Sequence, residues 1–113
     1  MAAQIHAFYT GCEAVLVKVV RITEDLPDGE RLHQTLLIRA AASIPDVRPP
    51  VLSVPTAETL HELLRFRHFF RNAYGVELDA ARLRELADLV PQAYRGLQAD
   101  VERFLAEAAS RTG

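Results

Sequence analysis

Apolar residues recur at steps of three and four along four separate segments of this chain, and no segment alternates apolar with polar residues as a half-buried strand would. In the first segment, about 3–26, Ile5, Phe8, Cys12, Val15, Val19 and Ile22 form one helical stripe. The run Val15-Leu16-Val17-Lys18-Val19-Val20 is rich in β-branched residues, but it lies inside this longer pattern and is assigned to helix. Val17 and Val20 fall off the stripe and are candidates for a second buried surface, such as a partner subunit. Leu26-Pro27-Asp28-Gly29 is a turn cluster. A second helix over about 30–43 presents Leu32, Leu36, Leu37, Ala40, Ala41 and Ile44, with His33 beside that face as a packed residue.

Pro45, Pro49 and Pro50 restrict their own backbone and that of the residue before each, so 44–52 is an ordered loop. Ser53 is placed to cap a third helix, its hydroxyl accepting from a free first-turn N–H, with Pro55 in that turn. This helix runs to about Tyr74 and stops at Gly75, which suits a left-handed C-terminal cap. Asp79 caps the fourth helix, with Leu78 and Leu83 as a hydrophobic staple. Leu83, Leu86, Val90, Ala93, Leu97, Val101, Phe104 and Ala108 keep one stripe past Pro91, which predicts a kink or two nearly collinear helices. The fold class is all-α: an antiparallel four-helix bundle in a single domain over 1–109, with 110–113 a frayed tail.

At 113 residues the chain is long enough to bury one core without disulfides. Its formal net charge is −2, whereas a generic nucleic-acid binder is strongly basic; any RNA contact must come from a local patch. The single cysteine, Cys12, excludes an internal disulfide, zinc-ligand spacing is absent, and a buried apolar role is expected. The start lacks the basic region of a signal peptide, and the apolar run 15–20 is interrupted by Lys18 and too short for a bilayer. A reduced, cytoplasmic setting without membrane contact is expected.

The third helix carries the distinctive chemistry. Leu63, Phe66, Phe70 and Ala73 make its core stripe. Leu60, Leu64, Arg67, Arg71 and Tyr74 make a second stripe, apolar at one end and cationic at the other. His61, Arg65, His68 and Asn72 make a polar third. A core-facing arginine without a partner costs on the order of several kcal/mol, which places Arg67 and Arg71 at a cleft or subunit interface. Arg65, Arg67 and Arg71 are three fixed charges within seven residues. Their planar forks match phosphate oxygens. The competing reading is a solvated face paired with Glu58, Glu62 or Glu77.

The segment Arg67-His68-Phe69-Phe70-Arg71-Asn72-Ala73-Tyr74 resembles the motif of HepT-like proteins of the HEPN superfamily: arginine, a polar residue, several positions, histidine, any residue, tyrosine. The likeness extends to Phe8-Tyr9-Thr10-Gly11-Cys12-Glu13, Leu32-His33-Gln34, Ile44-Pro45-Asp46-Val47-Arg48-Pro49 and Tyr74-Gly75-Val76-Glu77-Leu78-Asp79, and so covers nearly the whole chain. The resemblance implies a homodimer whose motifs face one another across a cleft, acting as a metal-independent endoribonuclease without cofactor. It also implies a toxin–antitoxin setting, in which a minimal nucleotidyltransferase antitoxin neutralises the toxin, in some systems by AMPylation of the motif tyrosine. Carried across, Arg67 matches the motif arginine, His68 the polar residue and Tyr74 the modifiable tyrosine. Arg65 and Arg71 are candidate phosphate contacts.

The motif histidine falls on Asn72, which cannot take a proton at neutral pH. Two consequences stay open. His68, one turn earlier on the same stripe, supplies proton transfer; or the chain is a catalytically weak or inactive module that binds a partner protein or nucleotide. A third reading is a plain helical interaction protein that dimerises through Val17, Val20 and the second stripe.

Overall fold

The computed structural model describes the backbone of residues 2–72 and 80–112 and the side chains of residues 3–66 and 80–110. Helix α1 spans Ala2–Val20, but its buried face is rotated from the expected one. Ile5, Tyr9, Cys12, Leu16, Val19 and Val20 are buried, whereas Val15 and Ile22 are 43% and 64% exposed. Ile5, Cys12 and Val19 stay inward as expected, but Tyr9 and Leu16 replace Phe8 and Val15, which turns the buried face by roughly 60° at about 100° per residue. Leu16 offers more apolar surface to bury than Val15. Phe8 and Val17 pack at the margin of the core. Val20 is fully buried in the chain's own core, so it cannot serve the partner-facing surface expected of it.

The helix stops at Val20, short of residue 26, and unwinds through a turn in which the N–H groups of Thr23 and Glu24 both donate to the Val20 carbonyl. Gly29 follows at φ 73°, a left-handed conformation that a side chain would strain, and α2 begins after it, spanning Glu30–Ala41. Leu36, Leu37 and Ala40 are fully buried and Leu32 and Ala41 pack against them, as the spacing predicts. His33 lies at the edge of this face with Nδ1 2.8 and 2.9 Å from the two carboxylate oxygens of buried Glu13. Cys12 is 5% exposed, and burial, helped by the Glu13 charge, pushes its thiol up to about 11. It therefore stays protonated and acts as an apolar core residue.

The loop from 42 to 53 is stitched by one buried arginine. Ile44 and Arg48 exchange backbone hydrogen bonds of 2.9 Å across a turn in which Asp46 has φ 65°. The Arg48 side chain, 1% exposed, donates to the Thr23 hydroxyl at 2.8 Å, to Glu24 Oε2 at 2.7 Å, and to the carbonyls of Arg39, Ala42 and Pro49 at 2.9, 2.7 and 3.1 Å. Glu24 is shared with Arg39 at 2.7 Å, and hydrogen bonds from Arg39 and then Arg48 hold its carboxyl below the ordinary range. The N–H groups of Val51 and Leu52 then satisfy the Ala40 carbonyl, closing the end of α2.

Helix α3 spans Val54–Asn72. The Ser53 carbonyl accepts from Ala57 N–H, as a capping residue's should, but its hydroxyl makes a tertiary contact instead of the expected local cap. That hydroxyl and the Ser53 N–H both donate to Oδ2 of buried Asp100, at 2.9 and 2.8 Å. Asp100 belongs to α4, which spans Ala80–Thr112. Its 33 residues set the long axis of the molecule: about 50 Å by helical rise against an extent of 52 Å. Pro91 lies inside a single continuous helix rather than between two. It removes the donor to the Ala87 carbonyl while leaving the stripe intact. Leu86, Ala93, Leu97 and Phe104 are buried and Leu83, Val90 and Val101 flank them. The expected caps at Gly75 and Asp79 and the staple at Leu78 lie outside the described residues.

The four helices pack as a bundle, and the described residues contain no strand. Contacts between Ser53 and Asp100 and between Glu62 and Arg82 show that α3 runs antiparallel to α4. Helices α1 and α2 advance in the same direction, because residues 21–29 return the chain before α2 starts: Glu13 meets His33, and Thr23 meets the end of α2 through Arg48. No helix among the described residues is long and apolar enough to cross a membrane.

Gly96 of α4 packs against Thr56 of α3. A Cβ there would lie 2.4 Å from Thr56 Oγ1, whose hydroxyl is tied to that of Ser53 at 3.0 Å. Gly96→Ala is expected to destabilise by about 1–3 kcal/mol despite alanine's better helix propensity. Chemical denaturation would check this, and Gly96→Ala combined with Thr56→Ser, which keeps the colliding hydroxyl, should recover little.

Candidate functional site

Helix α3 continues to Asn72, so Arg67, His68, Arg71 and Asn72 all occupy its last two turns. Their side chains, and Tyr74 altogether, lie outside the described residues. What the structure describes is the platform that leads to them. Leu60 and Leu63 are fully buried and Phe66 is 5% exposed, anchoring one side of α3 in the core. Leu64 packs at the core margin, so the second stripe starts apolar, as its sequence predicts. The polar stripe of His61 and Arg65 is turned toward solvent.

An open groove of about 510 Å³ lies along this polar stripe, lined by Glu58, Thr59, His61, Glu62 and Arg65 of α3 and Leu89 of α4. Glu62 is its electrostatic centre. One carboxylate oxygen accepts from Arg65 Nη1, three residues along the same helix; the other accepts from Arg82 Nη2 of α4 at 3.2 Å. Arg82 Nη1 also donates to Glu85 at 3.1 Å. Hydrogen bonds to Glu85 and then Glu62 raise the already high affinity of the Arg82 guanidinium for its proton. Arg65, a candidate phosphate contact by residue type, is thus in an exposed ion pair, the arrangement that a solvated charged face predicts for it. Sequence reasoning named Glu62 as a possible partner but missed Arg82. Residues 62 and 82 are twenty positions apart on different helices, and only the packing of α3 on α4 brings them together.

Arg48 and Asp100 also went unnoticed. Both are buried polar groups whose partners come from other parts of the chain. Their roles are architectural: Arg48 fixes the end of the bundle where α3 begins, and Asp100 fixes the start of α3 to α4. Together they set the position of the helix on which the basic segment rides. No group of three or more histidine, cysteine, aspartate or glutamate side chains among the described residues is arranged to hold a metal ion.

A small helical bundle with an arginine-stitched loop ahead of a third helix that ends in a basic segment is the class of module defined here. The family model described as HepT-like protein matches residues 1–108, and the chain belongs to that family within the HEPN superfamily. No curated protein and no solved structure matches it.

Proposed function

We propose that this HepT-like chain is a toxin-type protein that acts on RNA as a homodimer and is neutralised by a nucleotidyltransferase antitoxin. The observation that carries this reading is the family match across residues 1–108, together with the motif-like sequence Arg67 to Tyr74, of which Arg67 to Asn72 close α3. In the proposed reaction the ribose 2′-OH attacks the adjacent phosphate, and the 5′-oxygen of the next nucleotide leaves. Arg67 stabilises the charge that accumulates on the phosphorane, a role a guanidinium fills well because its fork is planar and permanently charged. His68 is the group of this segment able to exchange a proton near neutral pH. Arg71 and Arg65 supply further phosphate contacts, and Tyr74 is the residue the antitoxin modifies with AMP.

One observation favours a second reading. Asn72 stands where the family motif has histidine, and an amide neither donates a proton to a leaving group nor removes one from a hydroxyl. In that case the chain keeps the dimer and the RNA surface but cleaves slowly or not at all. The test is cleavage of a panel of RNAs by purified protein in the presence of a chelator. The first reading predicts that wild-type cleaves and that Arg67→Ala is slower by about 10²-fold or more. Wild-type protein that leaves every RNA intact yet binds it supports the second. Cleavage that Arg67→Ala does not change contradicts both.

A further inference from the structure

Glu62 is held by two guanidiniums from two helices, and all three groups reach solvent. Arg65 is 72% exposed at its side chain, Arg82 48% and Glu62 37%. Two arginines converging on the two oxygens of one anion form the arrangement that also binds a phosphodiester, whose non-bridging oxygens present the same bidentate geometry. Arg82 lies in the first turn of α4, the electropositive end of that helix, which adds to the preference for an anion. Glu62 and Arg65 line the groove beside His61 and Thr59, with Arg82 reaching Glu62 from α4, so an extended ligand has room to lie there.

The position of the cluster connects it with the basic segment. Arg65 shares the polar stripe of α3 with His68 and Asn72, about 5 and 10 Å further along the axis. An RNA strand laid in the groove along that stripe would meet Arg65 and, through Glu62, its neighbour Arg82. With Glu62 in place, that path carries two positive charges against the negative charges of Glu58, Glu62 and Glu85.

We propose that Arg65 and Arg82 form a phosphate subsite for RNA that the chain's own Glu62 carboxylate occupies at rest. The subsite rests on the RNA reading above. Glu62 acts as an internal competitor: a backbone phosphate must displace it, which keeps RNA affinity low on this side of α3. No residue of the subsite takes part in bond making. Its effect is on binding alone.

The test is titration of a short labelled single-stranded RNA with wild-type, Glu62→Gln, Glu62→Gln/Arg82→Ala and Arg67→Ala protein at several salt concentrations. Glutamine keeps the size of glutamate and removes its charge, and circular dichroism checks that each variant is folded. Glu62→Gln is expected to bind about fivefold more tightly at low salt. The slope of log affinity against log salt should steepen by about 0.7 for each additional phosphate neutralised. Adding Arg82→Ala should reverse both changes. Unchanged affinity and slope in Glu62→Gln, with Arg67→Ala still weakening binding, would overturn the subsite and leave the RNA reading standing. Tighter binding that survives Arg82→Ala would also overturn it, because one arginine then suffices. No RNA binding by either wild-type or Glu62→Gln would remove both ideas together.

Discussion

Arg48→Ala is expected to lower the free energy of unfolding by about 3–5 kcal/mol, the range for removing one partner of a buried charge pair. The guanidinium bonds three carbonyls, a hydroxyl and the carboxylate of Glu24, all at the point where the ends of α1 and α2 meet the loop before α3. Alanine leaves the carbonyls of Arg39, Ala42 and Pro49 without this donor in a region where water has little access. Arg39 still pairs with Glu24, which limits the loss on that side. Arg48→Lys should recover only part of the stability, because a single ammonium cannot span acceptors arranged around a planar fork. Urea unfolding followed by circular dichroism would show a lower midpoint at unchanged slope. A shift corresponding to less than about 1 kcal/mol, the scale of an exposed ion pair, would mean that the clamp does not hold this end of the bundle.

The second large effect is an increase in activity. On the second reading, in which Asn72 leaves the segment without its acid/base group, Asn72→His is expected to raise the rate of RNA cleavage by about 10²–10⁴-fold, the usual contribution of a positioned general acid or base. The new activity should depend on pH with an apparent pKa near about 6.5, the ordinary value for an imidazole. If the histidine works as a base, the rate rises as pH increases through that value; if it works as an acid, the rate falls. The first reading, with His68 as the working group, predicts instead that wild-type already cleaves, that Asn72→His adds little and that His68→Ala abolishes the activity. Both substitutions lie in the last two turns of α3, so neither touches the Arg48 clamp or the Asp100 contact that hold the helix in place.

The two predictions fall on opposite sides of what the sequence makes legible. Helix number and type follow from apolar spacing alone, and α2 and α4 bury the residues that spacing selects. Helix α1 does so only in part: Ile5, Cys12 and Val19 are buried as expected, but Tyr9 and Leu16 turn inward in place of their neighbours Phe8 and Val15. Adjacent apolar residues point about 100° apart, and which of each pair turns inward depends on what α3 and α4 offer opposite. The Val17 and Val20 surface expected to face a partner fails for the same reason: Val20 lies on the inward stripe. Buried polar groups are harder still. Arg48 looks like one more charge in a proline-rich loop, and only the approach of residues 23, 24, 39 and 42 in space explains its burial.

The candidate site divides in the same way. The basic character of the 65–71 segment and its place at the end of a helix are visible in the residues themselves. The state of Arg65 is not, since it depends on Arg82 reaching across from α4 to share Glu62. A charge that residue type alone assigns to phosphate binding is, in the folded chain, already answered by a carboxylate. The weight of the proposed RNA reading therefore falls on Arg67, the residue that matches the motif arginine.

In the proposed function the basic end of α3 binds RNA through Arg67. The most direct test of that binding is equilibrium titration of labelled single-stranded RNA with wild-type and Arg67→Ala protein at low salt, each checked for folding. The account predicts measurable binding by wild-type, weakened at least tenfold by Arg67→Ala. Equal affinity for the two proteins, or no binding by wild-type, would contradict it.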